Sequence, residues 1–175
     1  MIRIAAGEKH SAAINNRNEL YIWGVGLHGR LGNGKSSNLV RPTLCEDLQD
    51  SKVDKVALGS THTLCLLKNG KGKVWGAGKY GKLGLEATEE CNFGQPKDLI
   101  ALEKVKVEEF ACGPTHSMAL TEDGDLYTWG GAKDGKLGYE ESRAVVPVPR
   151  KILDNNKFYM KEVAIARASK YPLFT

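Results

Sequence analysis

One segment occurs three times in this chain without insertion or deletion. Each copy opens on Gly-x-x-His, reaches a Trp-Gly pair at a constant distance from the histidine, and closes on Gly-x-Leu-Gly. The copies lie at 7–32, 59–84 and 113–138. A repeat that recurs about every 50 residues is typical of propellers and other arrays in which one supersecondary unit is stacked several times. The repeat therefore restricts the chain to architectures built from similar units.

Each copy contributes a glycine, a histidine and a tryptophan to the frame of the repeat. These residues are Gly7, His10 and Trp23; Gly59, His62 and Trp75; and Gly113, His116 and Trp129. A short apolar run precedes the glycine, a second follows the histidine, and a third ends at the tryptophan. Asn-Gly or Asp-Gly separates the second and third runs in two copies, which is a strong hairpin signal. We expect the second run to be a strand buried on both faces.

The spacers after each copy complete the predicted unit. Each holds a proline near its middle, which fits an edge strand because the missing N–H is harmless there. The prolines are Pro42, Pro96, Pro147 and Pro149. No spacer shows a sustained helical period of apolar residues, so we expect little helix. Four short antiparallel strands per repeat predict an all-β fold of propeller-type blades.

Composition limits the class of protein further. The cysteines are placed singly, with no Cys-x-x-Cys pair, and we expect four reduced thiols, Cys45, Cys65, Cys91 and Cys112. A formal charge of +4 argues neither for nor against nucleic acid. The sequence has no apolar segment long enough to cross a bilayer and no secretory signal, so we predict no membrane span and a cytoplasmic or nuclear location.

The ordered set Gly-x-x-His-Ser/Thr, Trp-Gly and Gly-x-Leu-Gly resembles the regulator of chromosome condensation repeat family, and the resemblance covers essentially the whole chain. Complete domains of that family form seven-bladed propellers, so the resemblance implies either an open arc of three blades or a fragment of a larger propeller. We favour the fragment, because three repeats give a repeat array only marginal stability and leave uncovered blade faces at both ends.

The domain boundaries follow from the repeat. We expect one repeat domain over 1–175, in which Ala166 and Ser169 replace the glycine and histidine of a fourth block. The predicted blocks are 1–51, 52–103 and 104–159, with the start of an incomplete fourth repeat at 160–175.

Catalytic and metal-binding readings find little support in the sequence. The three frame histidines occupy one register of successive blades, so they cannot converge within about 2 Å of one metal ion. We expect each histidine to be buried and hydrogen-bonded, tying the turn between two strands. We expect each tryptophan to pack between blades rather than to serve as a stacking platform. No nucleophile elbow, zinc-protease or phosphate-loop motif is present. We predict no enzyme, no cofactor and no metal.

The most informative polar residues lie around Gly-x-Leu-Gly. Its variable residue is basic in every copy, two further lysines lie three positions earlier, and the residues between them differ from copy to copy. The candidate partner-binding residues are Arg30, Lys82 and Lys136; Lys79 and Lys133; and His28, Tyr80 and Asp134. Two interpretations stay open. The charges are either solvated lysines of a Lys-rich protein, or a basic arc on one face that steers an acidic partner surface.

We therefore predict a non-enzymatic scaffold that binds a macromolecular partner through rim loops, because loops that vary on a constant frame carry specificity. The partner is expected to be a protein, with an acidic surface or a small GTPase as candidates. The first alternative, implied by the resemblance, is guanine-nucleotide exchange on a small Ran-type GTPase. The spacers 33–58 and 85–112 are too uniform in length to hold the long projecting hairpin of a family exchange factor. Chromatin binding, or a structural role in a cytoskeletal or ciliary assembly, is the other alternative, and direct nucleic-acid binding is not expected.

Overall fold

The computed structural model describes residues 3–87 and 91–152. Within these residues, three four-stranded antiparallel sheets follow one another, and each strand pairs with the next along the chain. We call the sheets blades 1, 2 and 3. Blade 1 contains β1 (Arg3–Ala6), β2 (His10–Ile14), β3 (Leu20–Gly24) and β4 (Leu39–Leu44). Blade 2 contains β5 (Val53–Leu58), β6 (His62–Leu67), β7 (Gly72–Ala77) and β8 (Asn92–Asp98). Blade 3 contains β9 (Val107–Cys112), β10 (His116–Thr121), β11 (Leu126–Gly131) and β12 (Val145–Lys151).

Helix is confined to single 3₁₀ turns in the described residues. One turn follows the third strand of each blade, and one more follows the fourth strand in blade 1 and in blade 2. They span Leu27–Gly29, Lys79–Gly81, Lys133–Gly135, Glu46–Leu48 and Ile100–Leu102. None of them is long and apolar enough to cross a membrane. The prediction of an all-β fold built from four-stranded blades is confirmed.

The prolines lie where an edge strand tolerates them. Pro42 lies in β4, Pro96 in β8, and Pro147 and Pro149 in β12, and each of these strands ends its sheet. The predicted start of a fourth repeat, at 160–175, lies outside the described residues.

The glycine after each tryptophan is required by backbone geometry. Gly76 has a φ of +105°, and a Cβ built on it would collide with the carbonyl oxygen of Thr61. Gly24 and Gly130 have φ values of +112° and +109° at the same place in blades 1 and 3. Since L side chains are strained at such angles, the Trp-Gly pair ends the straight part of the third strand in every copy.

The apolar cores lie between blades rather than within them. One cluster joins Ile14 and Ile22 of blade 1 to Cys65 and Trp75 of blade 2. A second cluster joins residues of blade 2 to residues of blade 3, among them Leu64, Val74, Phe110 and Trp129. The middle blade is therefore covered on both faces, and every residue of β6 is buried. In β2 buried and partly exposed residues alternate, so the prediction of burial on both faces is wrong for that strand.

Candidate interaction surface

The frame residues of neighbouring blades meet at one backbone carbonyl. The carbonyl oxygen of Arg30, in blade 1, accepts hydrogen bonds from the Thr63 hydroxyl at 3.0 Å and from the Trp75 indole Nε1 at 2.9 Å. Nε2 of His10 lies 2.9 Å from the same hydroxyl oxygen. Because the hydroxyl uses its proton on the carbonyl, it accepts from the imidazole, which fixes His10 as the Nε2–H tautomer. Blade 1 is thereby tied to blade 2.

The same four-group arrangement recurs between blades 2 and 3. The Lys82 carbonyl oxygen accepts from the Ser117 hydroxyl at 2.7 Å and from Trp129 Nε1 at 2.9 Å. Nε2 of His62 lies 2.9 Å from the Ser117 oxygen. The prediction of buried, hydrogen-bonded histidines is confirmed for His10 and His62, but the bond reaches the next blade instead of the histidine's own turn.

The frame histidines are held neutral. Burial lowers the pKa of His10 to about 4, and the Arg30 charge adds to the decrease. Burial lowers the pKa of His116 to about 4, and the charge of Lys136 adds to the decrease. Burial also holds the pKa of His62 well below its usual range. Nδ1 of each of these rings is buried without a hydrogen-bond partner in the described part of the chain. Among residues 3–87 and 91–152, no group of three or more His, Cys, Asp or Glu side chains is arranged to hold a metal ion.

The last two residues of Gly-x-Leu-Gly shape the blade interface. Leu31 and Leu83 are fully buried. A Cβ on Gly32 would lie 2.8 Å from Nε1 of Trp75, so only glycine leaves room for the indole of the next blade. The motif therefore supplies a carbonyl acceptor, an apolar anchor and a gap for tryptophan, in that order.

One of the three tryptophans departs from the prediction. Trp75 and Trp129 are fully buried, so their predicted packing between blades is confirmed. Trp23 is partly exposed, and no hydrogen bond of its indole is found in the described part of the chain, so the prediction is wrong for this residue. Blade 1 also carries Ile4, which is 82% exposed. No described blade packs against the outer face of blade 1.

The basic residues of Gly-x-Leu-Gly are less accessible than expected. Arg30 is 3% exposed, and its guanidinium donates to the carbonyl oxygens of Leu27 at 3.0 Å and Ser60 at 2.6 Å. Lys82 is 4% exposed. Of the two interpretations left open, solvated side chains are wrong for Arg30 and Lys82, and neither residue belongs to an exposed basic arc. Arg30 is buried because its guanidinium reaches across to blade 2. Lys136 is partly exposed.

The tips of the three equivalent 3₁₀ turns are presented to solvent on a repeated backbone. His28, Tyr80 and Asp134 all adopt the left-handed region, with φ values of 65°, 67° and 65°. Non-glycine residues rarely adopt this conformation, and such outliers cluster at binding sites. Tyr80 is 41% exposed, Asp134 is exposed and His28 is partly exposed. Lys79 and Lys133, which precede two of the tips, are exposed as well.

A cleft of about 420 Å³ opens beside these tips and takes residues from all three blades. It brings together half of the predicted contact residues, namely His28, Lys79, Tyr80 and Lys82. Arg30, Lys133, Asp134 and Lys136 do not line it.

Sequence reasoning missed part of the cleft wall. Ser60, Thr61, Pro114 and Thr115 also line it, and they fill the two variable positions of Gly-x-x-His in blades 2 and 3. Their change from the Glu8-Lys9 pair of blade 1 is the signal that marks them.

Four-stranded antiparallel sheets that follow one another and are joined face to face define the blades of a β-propeller. The family model described as "Regulator of chromosome condensation (RCC1) repeat" matches residues 17–66, 74–120 and 123–167, and a second model of the same description matches 107–136. The chain belongs to the RCC1 repeat family, as its motifs predicted.

Curated relatives and solved structures agree with this assignment. The chain is 41% identical over 141 residues to the human E3 ubiquitin-protein ligase HERC2, and the match covers 79% of the chain and 3% of HERC2. It is 34% identical over 165 residues to the ultraviolet-B receptor UVR8 of Arabidopsis thaliana, covering 94% of the chain and 37% of the receptor. The chain therefore spans well under half of either relative.

The crystal structure of Prp20p from Saccharomyces cerevisiae matches with a TM-score of 0.69 and 27% identity. The match covers 93% of this chain and 40% of Prp20p.

Proposed function

We propose that this RCC1 repeat domain is a non-enzymatic interaction module that binds a partner protein at the cleft and at the neighbouring turn tips, His28, Tyr80 and Asp134. The observation that carries the proposal is the left-handed tip, which has the same backbone in every blade and a different side chain each time. A frame that repeats its backbone and varies its tips suits recognition, because the tips differ without disturbing the blade interfaces.

The chemistry of the surface favours a protein partner. Tyr80 and Leu27 expose apolar area, at 41% and 53%, beside the charges of Lys79 and Lys133. Aromatic anchors next to charged groups are typical of protein-binding surfaces. A cytoplasmic or nuclear location is part of this proposal.

A second candidate is guanine-nucleotide exchange on a small Ran-type GTPase, and the similarity to Prp20p favours it. The structural report on Prp20p includes its binding to Gsp1p and histones, which also keeps chromatin binding among the alternatives. Against exchange, the described parts of 33–58 and 85–112 hold an outer strand, one 3₁₀ turn and the next blade's first strand, with no added hairpin among them.

The test is capture of binding proteins from a native extract by two matched triple variants of the chain. The first variant carries His28→Ala, Tyr80→Ala and Asp134→Ala. The control carries Arg17→Ala, Lys71→Ala and Asp123→Ala, which are exposed positions in the hairpin turns of the same three blades. We expect the tip variant to lose the proteins that the wild type and the control retain. Equal capture by all three chains would contradict the proposal.

Exchange activity has its own assay. Release of fluorescent GDP from a purified Ran-type GTPase is measured with and without the chain. Catalysed release would replace the scaffold proposal by the exchange function, and an unchanged rate would remove that candidate.

A further inference from the structure

The three basic residues of Gly-x-Leu-Gly differ in where their charged ends find an acceptor. Arg30 donates to two carbonyl oxygens, those of Leu27 and Ser60. The Lys136 amine lies 3.4 Å from the Thr115 hydroxyl and 3.8 Å from the Asp134 carboxylate. The Lys82 amine has neither a hydrogen-bond acceptor nor a carboxylate partner among residues 3–87 and 91–152, although the residue is only 4% exposed.

The surroundings of Lys82 offer a cation little compensation. Its amine lies 6.0 Å from the centroid of the Tyr80 ring, a distance at the outer limit of a cation–π contact. Lys79 lines the same cleft, and no acidic residue is among the described residues that line it. The stem of Lys82 is buried, but its amine is not among the side-chain atoms that are buried without a hydrogen-bond partner, so it opens to the cleft. A carboxylate that enters the cleft would replace water at this amine with a charge-assisted hydrogen bond.

We propose that this cleft takes the carboxylate of an aspartate or glutamate side chain of the partner protein, with Lys82 as its ammonium donor. The inference rests on the proposed function and names the chemistry of its partner. The ammonium of Lys82 would donate to one carboxylate oxygen, and Lys79, at the exposed edge of the cleft, would add attraction during approach.

The walls of the cleft select a side chain of that shape. Ala77, Pro114 and Tyr80 line the cleft and offer apolar surface to the methylenes, and Ser60, Thr61 and Thr115 complete its polar lining. The Ser60 hydroxyl donates to the Pro114 carbonyl oxygen at 3.0 Å, and the Thr115 hydroxyl lies 3.4 Å from the Lys136 amine. An extended phosphate backbone fits less well, because binding it requires several cations in a row. The Arg30 guanidinium is not available for this role, since it already donates to two carbonyl oxygens.

The Lys82 amine should hold its proton more tightly when a carboxylate occupies the cleft than when the cleft is empty. Burial lowers the pKa of Lys82 to about 8, and the charges of Arg30 and Lys79 add to the decrease. A carboxylate at the amine favours the ammonium form and raises this pKa. Affinity should therefore fall as the pH rises above about 8, because the empty cleft loses its charge there. The titratable and charged groups around the amine are Arg30, Lys79, Tyr80, His28 and His62.

The experiment uses short peptide probes and the whole chain with ¹³Cε-labelled lysine. Acetyl-Gly-Glu-Gly-amide is titrated while NMR follows the lysine Cε signals, and acetyl-Gly-Gln-Gly-amide is the neutral probe. We expect the glutamate peptide alone to shift the Lys82 signal saturably and to raise its pKa to about 9 or above. Lys82→Gln should abolish saturation, whereas Lys136→Gln, the equivalent position of blade 3, should leave it unchanged.

Several outcomes would overturn the inference. These are equal binding of both peptides, saturation that survives Lys82→Gln, and an oligouridine probe that displaces the glutamate peptide at lower concentration. If Lys82→Gln fails to fold, the wild-type chain decides the question: a Lys82 pKa that a saturating concentration of the glutamate peptide leaves unchanged would overturn the inference. If the tip variant loses captured proteins and Lys82→Gln does not, the proposed function stands and this inference fails.

Discussion

The sheet face that carries a Ser or Thr and a Trp has very different surroundings in blades 1 and 2. In blade 2, Thr63 and Trp75 are fully buried and both donate to the Arg30 carbonyl. In blade 1, the equivalent Ser11 and Trp23 are partly exposed, and no described blade lies against them. The same residue types thus occupy a core in one case and a surface in the other, so the motif defines half of an interface and the neighbouring blade supplies the other half.

This comparison also separates two roles within one repeat. Where two neighbouring blades are described, the glycine, histidine, leucine and tryptophan of the motif form the contact between them, whereas the tips between Trp-Gly and Gly-x-Leu-Gly reach solvent. Changes in the first group should alter stability, and changes in the second should alter binding.

The largest expected effect contrasts the two tryptophans. Trp75→Ala should lower the free energy of unfolding by about 3–5 kcal/mol, because it deletes a fully buried aromatic and its hydrogen bond. Trp23→Ala should cost about 1 kcal/mol, since part of that ring already contacts solvent. Urea midpoints of the two variants measure the difference, and equal losses would remove the distinction between the two faces.

A second prediction uses the histidine at the buried interface. His10 is neutral when folded, with a pKa of about 4, and its usual value of 6.5 is recovered on unfolding. The unfolded chain therefore binds more protons below pH 6.5, and stability should fall as the pH is lowered from 6.5 towards 4. The contribution of His10 is about 3 kcal/mol at the acid end. Urea unfolding at pH 7, 6 and 5 checks this, with His10→Gln as the control whose loss on acidification is smaller. A wild type as stable at pH 5 as at pH 7 would contradict it.

The third prediction compares the hydroxyl group at the interface between blades 1 and 2 with the equivalent hydroxyl on the open face of blade 1. Thr63→Val keeps the volume but leaves the His10 Nε2–H without an acceptor, which should cost about 1–3 kcal/mol. Ser11→Ala, on the open face of blade 1, should cost under about 0.5 kcal/mol. If both substitutions were neutral, the bonds between blades would contribute nothing measurable to stability.

The smallest effect concerns a turn tip. Tyr80→Gly relieves a left-handed φ of 67°, and the gain is largely offset by the entropy of glycine in the unfolded chain. We expect a stability change within about 1 kcal/mol together with loss of partner capture. Asn69→Gly, in an exposed hairpin turn of the same blade, is the control that should retain capture. A Tyr80→Gly variant that captures its partners normally would show that the ring is not an anchor.

Much of the fold could be predicted from spacing alone. The three Trp-Gly pairs lie within one residue of a strand end, the prolines lie on edge strands, and the histidines of the Gly-x-x-His blocks begin the second strands. Each of these properties depends on local backbone geometry. The partial exposure of Trp23 could not be predicted, since it depends on what lies against the blade. The burial of Arg30 and Lys82 was missed for a similar reason: a basic residue in a glycine-rich turn resembles a solvated loop residue until the next blade is in place.

The site shows the same division. The tips His28, Tyr80 and Asp134 could be found as variable residues in a constant frame, but the cleft could not, because it is assembled from three blades. The pairs Ser60-Thr61 and Pro114-Thr115, which line the cleft, are only weakly marked in the sequence: they occupy the positions of Gly-x-x-His that differ between copies.

The central claim is that the frame motif is completed by the preceding blade, and the three indole N–H groups report on it directly. Each tryptophan gives one Nε1–H signal, so hydrogen exchange of all three is read in the same NMR spectra without any substitution. We expect strong protection for Trp75 and Trp129, which donate at 2.9 Å to the carbonyls of Arg30 and Lys82, and rapid exchange for Trp23. Equal protection of the three signals, or rapid exchange of Trp75, would contradict the account.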